Sequence, residues 1–213
     1  MLPIIVAAVV GYLFGSIPAA YLLVRWKARI DIRTAGSGNV GTLNSYLVTN
    51  SKWVGIIVLL FDLLKGLTAV IIAPVFGAAD PFLAQGAAGV GAVAGHNFPL
   101  WLGGKGGRGL ATAAGVMLPL QWVAVLLWAI AWSAAFAPLR KVNLANALAT
   151  LLVIIVAAVV PSELIEQFMP AGASPGAFRL MVILVMGLVF VRHIGPLKEY
   201  ARERRSRRGG TTQ

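Results

Sequence analysis

The sequence contains no cysteine, which excludes disulfides and thiolate metal sites and leaves the redox compartment unread. Charge is scarce: Asp, Glu, Lys and Arg make up 12% of the 213 residues, against 59% apolar residues. That is too little polar surface to coat a soluble globule of this size, so the chain must be solvated by lipid. Acid is scarcer still, with seven Asp and Glu against 18 Lys and Arg and a net charge of +11. No nucleic-acid partner is implied, because 16 of the 18 basic residues fall in short connections or the tail, where they act as topology signals. Neither of the two histidines adjoins a carboxylate in sequence and no His-Glu-x-x-His occurs, so no metal site is expected. A Gly-x-Ser-x-Gly elbow is also absent, as is aspartate at the fifth position after either histidine, which removes the serine-hydrolase and soluble acyltransferase patterns.

What remains is apolar sequence cut into membrane-length pieces. Spans are expected at 3–24, 53–77, 83–95, 110–137, 142–160 and 176–192. No basic region precedes the first, which is read as a helix of the mature protein rather than a cleaved signal. The connection 25–52 carries Arg25, Lys27, Arg29, Arg33 and Lys52 against Asp31 alone, so the positive-inside rule makes it cytoplasmic and the N-terminus external. The loops 96–109 (Lys105, Arg108) and 138–141 (Arg140, Lys141) then both fall inside. One crossing cannot join them, so 110–137 must go out and return near Pro119, as two short helices 110–118 and 121–137. The expected fold is an all-α integral membrane protein of about seven transmembrane helices, some short or re-entrant, with N-terminus outside and C-terminus cytoplasmic. Residues 1–198 form one polytopic membrane domain and 199–213 a basic, disordered tail near anionic headgroups.

Three polar or glycine-dense segments lie at the cytoplasmic side. The first runs from Ala35 through Gly36, Ser37, Gly38, Asn39 and Gly41 to Asn44. Its glycines let successive N–H groups turn toward one point, where Ser and Asn side chains complete an anion site. It also spells Gly-x-Gly-x-x-Gly, but the acid a dinucleotide fold needs about 20 residues later would be Asp62, inside a span, so that reading is rejected. The second, from Gly95-His96-Asn97 through Gly103, Gly104, Lys105, Gly106, Gly107 and Arg108 to Gly109, offers a phosphate close backbone approach, two cations and the start of a helix. The third holds Arg192 and His193, a group able to titrate near neutrality and so to act as a base. Asp62 and Lys65 lie three apart on one helical face and can form a structural or functional ion pair.

These residues resemble the PlsY-type acyl-phosphate:glycerol-3-phosphate acyltransferases of bacterial phospholipid synthesis. The likeness runs through Gly15-Ser16-Ile17-Pro18, Asp31-Ile32-Arg33, Gly36 to Asn44, Asp62-Leu63-Leu64-Lys65-Gly66, Gly95 to Thr112, and Arg192-His193. It implies a multi-pass enzyme of the bacterial inner membrane, its active site facing the cytoplasm. Such an enzyme moves a fatty acyl group from acyl phosphate to the 1-hydroxyl of glycerol 3-phosphate without cofactor or metal. Its partners would be these two substrates and membrane lipid. On this resemblance Ser37, Asn39, Lys105 and His193 are catalytic, and Gly36, Gly38, Gly41, Asn44, His96, Gly104, Gly106, Gly107, Arg108 and Asn143 bind substrate or phosphate. The chain departs from the family where Leu47 stands for an arginine, Asn143 for a serine and Pro196 for an asparagine. Two other readings stay open: a diverged homologue that binds a phosphorylated metabolite or lipid with little catalysis, and a small transporter built around Asp62 and Lys65.

Overall fold

The structure, a computed structural model, describes residues 1–209. Ten α-helices follow one another among the described residues: α1 Leu2–Gly15, α2 Ala19–Ala28, α3 Thr42–Thr49, α4 Lys52–Ile72, α5 Pro81–Asn97, α6 Leu110–Leu139, α7 Val142–Val159, α8 Ser162–Glu166, α9 Pro175–Val191 and α10 Ile194–Gly209. No strand occurs among the described residues. By length and apolarity four of these can cross a membrane, with α1 and α2 taken together, and the bent pair α9 and α10 makes a fifth. Leucine and isoleucine side chains stand exposed along α1, α4, α6, α7 and α9, the surface expected of a bundle whose solvent is hydrocarbon.

The helix limits follow local chemistry. Proline opens α5 and α9 at its tolerated first position. There Asp80 accepts a hydrogen bond from the Leu83 N–H at 3.1 Å, and Ser174 accepts one from Ala177 at 3.3 Å. The expected span 3–24 is broken between α1 and α2, because Pro18 lacks the N–H that would continue the ladder. Lys65 on α4 donates to the Ile17 carbonyl in that gap at 3.3 Å. The span placed at 53–77 ends at Ile72, where a 3-10 turn Ala73–Phe76 carries Pro74. The short 83–95 is longer than expected, at 17 residues.

α6 extends over 30 residues but is not a straight rod, since Gln121 (φ −159°, ψ 68°) leaves the helical region. A rod of that length would be about 45 Å long. Yet Arg108, just before α6, bonds Asn143, just after it, at 2.6 Å, and Trp128 bonds Thr150 of α7 at 3.0 Å. The chain therefore turns back at Gln121, two residues beyond the Pro119 break expected from sequence. Close backbone contact holds the bundle: a Cβ on Gly95 of α5 would collide with the Tyr12 carbonyl of α1, and one on Gly66 of α4 with the Thr112 carbonyl of α6. Opposite the glycine-rich loops, Arg179 of α9 donates to the Ala157 (2.8 Å) and Val160 carbonyls at the C-terminus of α7.

The tail expected to be disordered from 199 is helical to Gly209, and α10 leaves α9 at a bend of 44°. Its Lys, Glu, Ala and Arg are strong helix formers, which outweighs their lack of apolar surface. Residues 210–213 of that expectation lie outside the described residues.

Candidate functional site

The loop between α2 and α3 is shaped from within. Asp31 accepts from the Arg33 N–H at 3.0 Å and pairs with its guanidinium at 2.7 Å. The same guanidinium holds the Asp31 carboxyl down at about 2. Gly36 and Gly38 then take the left-handed conformations (φ 58° and 68°) that only glycine adopts freely. At the centre is the buried Asn44, whose Oδ1 accepts from Ser37 N–H at 3.0 Å. Its Nδ2 donates to the Ala35 and Asn39 carbonyls at 3.1 and 3.0 Å. Its amide is thus directed at the loop, so the residue expected to touch phosphate fixes the loop that presents Ser37 and Asn39.

The loop between α5 and α6 is held from the other side of the bundle. Arg192 donates to the Gly106 and Gly107 carbonyls at 2.8 and 2.9 Å and lies over the Phe98 ring. Gly107 returns a hydrogen bond to the His96 carbonyl at 3.1 Å. Side chains on either glycine would strike the backbone or ring of His96. The carbonyl-pinning role of Arg192 carried no sequence signal beyond its place in a basic pair.

A cavity of about 360 Å³ opens where these loops meet α7 and α10. Ser37, Asn39, Asn44, Arg108, Lys141 and Asn143 line its polar side, and Leu43, Leu47, Val142 and Leu197 its apolar side. Tyr200, Glu199 and Glu203 close it from α10. A second space of about 140 Å³ shares Asn39 and Arg108, touches Gly41, and reaches Asp62 and His96 beneath. Segments far apart in sequence therefore converge on one basic, amide-rich hollow.

Not every expected residue joins it. Lys105 is exposed and lines neither space. Gly36, Gly38, Gly104, Gly106 and Gly107 shape the loops without lining the hollow. His193 is fully enclosed in the joint between α9 and α10: its Nδ1 lies 2.8 Å from the Val189 carbonyl, and its Nε2 has no partner. Burial among apolar groups, with Arg108 and Arg192 near, lowers its pKa from 6.5 to about 4. Asp62 and Lys65 do pair, at 2.9 Å with both side chains 3% exposed. His96, expected to bind phosphate, has its Nδ1 3.4 Å from the same carboxylate. This three-membered buried group joins α4 to α5 directly under the hollow. The 34-residue separation of Asp62 and His96 hid the contact from any reading of local spacing.

A family model described as glycerol-3-phosphate acyltransferase matches residues 5–203. Proteins named glycerol-3-phosphate acyltransferase from Brucella anthropi and Mesorhizobium japonicum are each 40% identical. The matches cover 87% and 89% of this chain and 85% and 88% of theirs. A crystal structure of PlsY, an integral membrane glycerol 3-phosphate acyltransferase, in its glycerol 3-phosphate form, superposes with a TM-score of 0.76 at 28% identity. That match spans 94% of this chain and 93% of the other. The lysophosphatidic acid form of PlsY gives 0.75 at 27% identity over the same shares.

Proposed function

Because the chain belongs to the glycerol-3-phosphate acyltransferase family, we propose that it moves a fatty acyl group from acyl phosphate to the 1-hydroxyl of glycerol 3-phosphate, releasing lysophosphatidic acid and phosphate. The observation that carries this reading is the convergence of Ser37, Asn39, Arg108 and Asn143 on one cavity in a bundle clad in apolar side chains. Both substrates bear phosphate and one bears an acyl chain, so a basic hollow with an apolar flank suits the pair.

Arg108 and Lys141 supply the cations, and Ser37, Asn39 and Asn143 the neutral donors. Lys105 stands exposed three residues before Arg108, with its side chain in no hydrogen bond or ion pair among the described residues. It swings onto the bound phosphate as a further cation. The Asn39 and Val40 N–H groups, between a Gly38 and a Gly41 whose own N–H groups are donated within the loop, serve as donors to the oxyanion that develops on the acyl carbonyl. Acyl phosphate carries a good leaving group, so positioning the two reactants supplies much of the rate. Leu47, where the family has arginine, adds to the apolar flank, and Lys141 at the α6–α7 turn restores the missing charge.

The same reading sets seven crossings, the N-terminus outside and the site on the cytoplasmic face of a bacterial inner membrane. Supporting it, Arg25, Lys27, Arg29, Arg33, Lys52, Arg140 and Lys141 gather at the helix ends nearest the cavity, while Asp80, Glu163 and Glu166 lie at the opposite ends. Exposed Trp26, Trp53 and Trp101 border the cavity end, as interfacial aromatics do.

The test is direct: protein purified in detergent and given acyl phosphate with glycerol 3-phosphate is expected to form lysophosphatidic acid. Arg108→Ala is expected to raise KM for glycerol 3-phosphate about tenfold or more, the loss of one charge-assisted contact. Binding of glycerol 3-phosphate with no product would instead identify a homologue that has lost catalysis, the outcome Leu47 and Pro196 favour.

A further inference from the structure

Apart from the two spaces that Arg108 lines, a much smaller one lies in the break between α1 and α2. Its volume is about 10 Å³, close to the least that holds a single water molecule. The chain from Gly15 to Ala20 forms one side, Asp62, Lys65 and His96 form another, and Gly106 of the α5–α6 loop closes it. Asp62 and His96 therefore line this pocket as well as the 140 Å³ space.

The hydrogen bonds around the pocket do not close among themselves. Ser16 lines it fully buried, and its hydroxyl has no partner among the described residues. The Ser16 N–H is already donated to the Tyr12 carbonyl at 2.8 Å, so the side chain alone is unspent. An ammonium has three N–H donors. Lys65 directs one to Asp62 at 2.9 Å and one to the Ile17 carbonyl at 3.3 Å, and its third meets no acceptor among the described residues. Both ion contacts of Asp62 fall on Oδ1, which leaves its other oxygen outside them. A buried ion pair is stable only when its remaining protons and lone pairs find partners.

The pocket's walls narrow the choice of ligand. Asp62 repels an anion and Lys65 repels a cation, so the occupant is neutral. It must accept from one neighbour and donate to others within the room of one oxygen atom. We infer that the pocket is a site for one ordered water, which accepts from Lys65 Nζ and bonds Ser16 Oγ and the Asp62 carboxylate. Three partners are the usual number for a buried water. This water joins the broken first span to α4 and, through the ion group, to α5. The inference is independent of the acyltransfer reading.

The test is a high-resolution crystal structure of the full chain, with a second set of crystals soaked in bromide. The expected result is a density peak within hydrogen-bonding distance of Ser16 Oγ, Lys65 Nζ and the Asp62 carboxylate, carrying no anomalous signal after the soak. A Ser16 hydroxyl bonded directly to Lys65 or to a main-chain carbonyl, with no peak between them, would overturn the inference. A bromide signal at the same place would overturn it in favour of an anion site. In Ser16→Ala the water keeps two partners of three, so its peak is expected to weaken or vanish, and an undiminished peak would overturn the part given to Ser16. The wild-type crystals decide the site itself whether or not that variant folds.

Discussion

At the scale of single residues, Asn44 shows how a loop is held by one amide. Its removal leaves the Ser37 N–H without a partner and takes a second donor from the Ala35 and Asn39 carbonyls, which keep the Gly38 and Gly41 N–H groups. Asn44→Ala is therefore expected to lower stability by about 1–3 kcal/mol, the cost of one orphaned donor and two weakened carbonyls, and a thermal melt in detergent measures it. His193 makes a second prediction, with a sign fixed by its environment. Its folded pKa of about 4 lies below the ordinary 6.5, so the native protein keeps it neutral while the unfolded chain binds a proton. The stability this provides is complete above pH 6.5 and is lost as pH falls toward 4. Melting temperatures are expected to decline through that window, and less steeply in His193→Gln. Residue types were legible in the sequence here, but directions were not. A glycine-rich stretch with Ser37, Asn39 and Asn44 announces an anion site, yet nothing in spacing says that Asn44 turns inward or that His193 is sealed. Arg108 and Lys105 look alike in sequence, and only the path of the chain into α6 brings Arg108 to Asn143.

Among the elements, α1 and α5 approach closely, with Gly91 and Gly95 flush on the backbone of α1. Gly95→Val is expected to push the pair apart at a cost of about 1–3 kcal/mol or more, as overpacking does. Because Gly95 directly precedes His96, such a variant should also disturb the Asp62 contact and lower acyl transfer. The alternation of basic and acidic connections in the sequence was enough to require that 110–137 reverse direction. It could not place the reversal, because Pro119 stays within the helix and the departure comes at Gln121, where the ladder freed by proline gives way. The break at Pro18 was masked for a different reason: hydropathy continues through it, since Ile17 and Ala19 are as apolar as their neighbours. Propensity outweighed low apolar content in α10, which composition alone would leave unfolded.

For the whole molecule, the apolar majority and the distribution of basic loops specified a lipid-solvated helical bundle before any coordinate. Sidedness is open to a clean experiment, because the native chain has no cysteine. In intact cells, Asp80→Cys is expected to react with an impermeant maleimide, and Gly103→Cys only after the membrane is opened or inverted. The reverse pattern would place the site outside and end the cytoplasmic reading. What sequence could not supply is the meeting of four distant segments around one hollow, carrying Ser37, Arg108, Asn143 and Glu199. That meeting depends on the fold-back of α6, which returns the chain to its starting level so that α7 can bring Asn143 beside Arg108.

The grip of Arg192 on the glycine loop reaches one atom further. A trans peptide unit is flat, with its oxygen and its hydrogen on opposite sides. Anchoring the Gly107 oxygen therefore orients the hydrogen of the same unit, on the Arg108 nitrogen, away from Arg192. That nitrogen has no backbone acceptor among the described residues. The residue thus offers a neutral main-chain donor whose heading is set by a guanidinium from another helix, independently of where its own long side chain rotates.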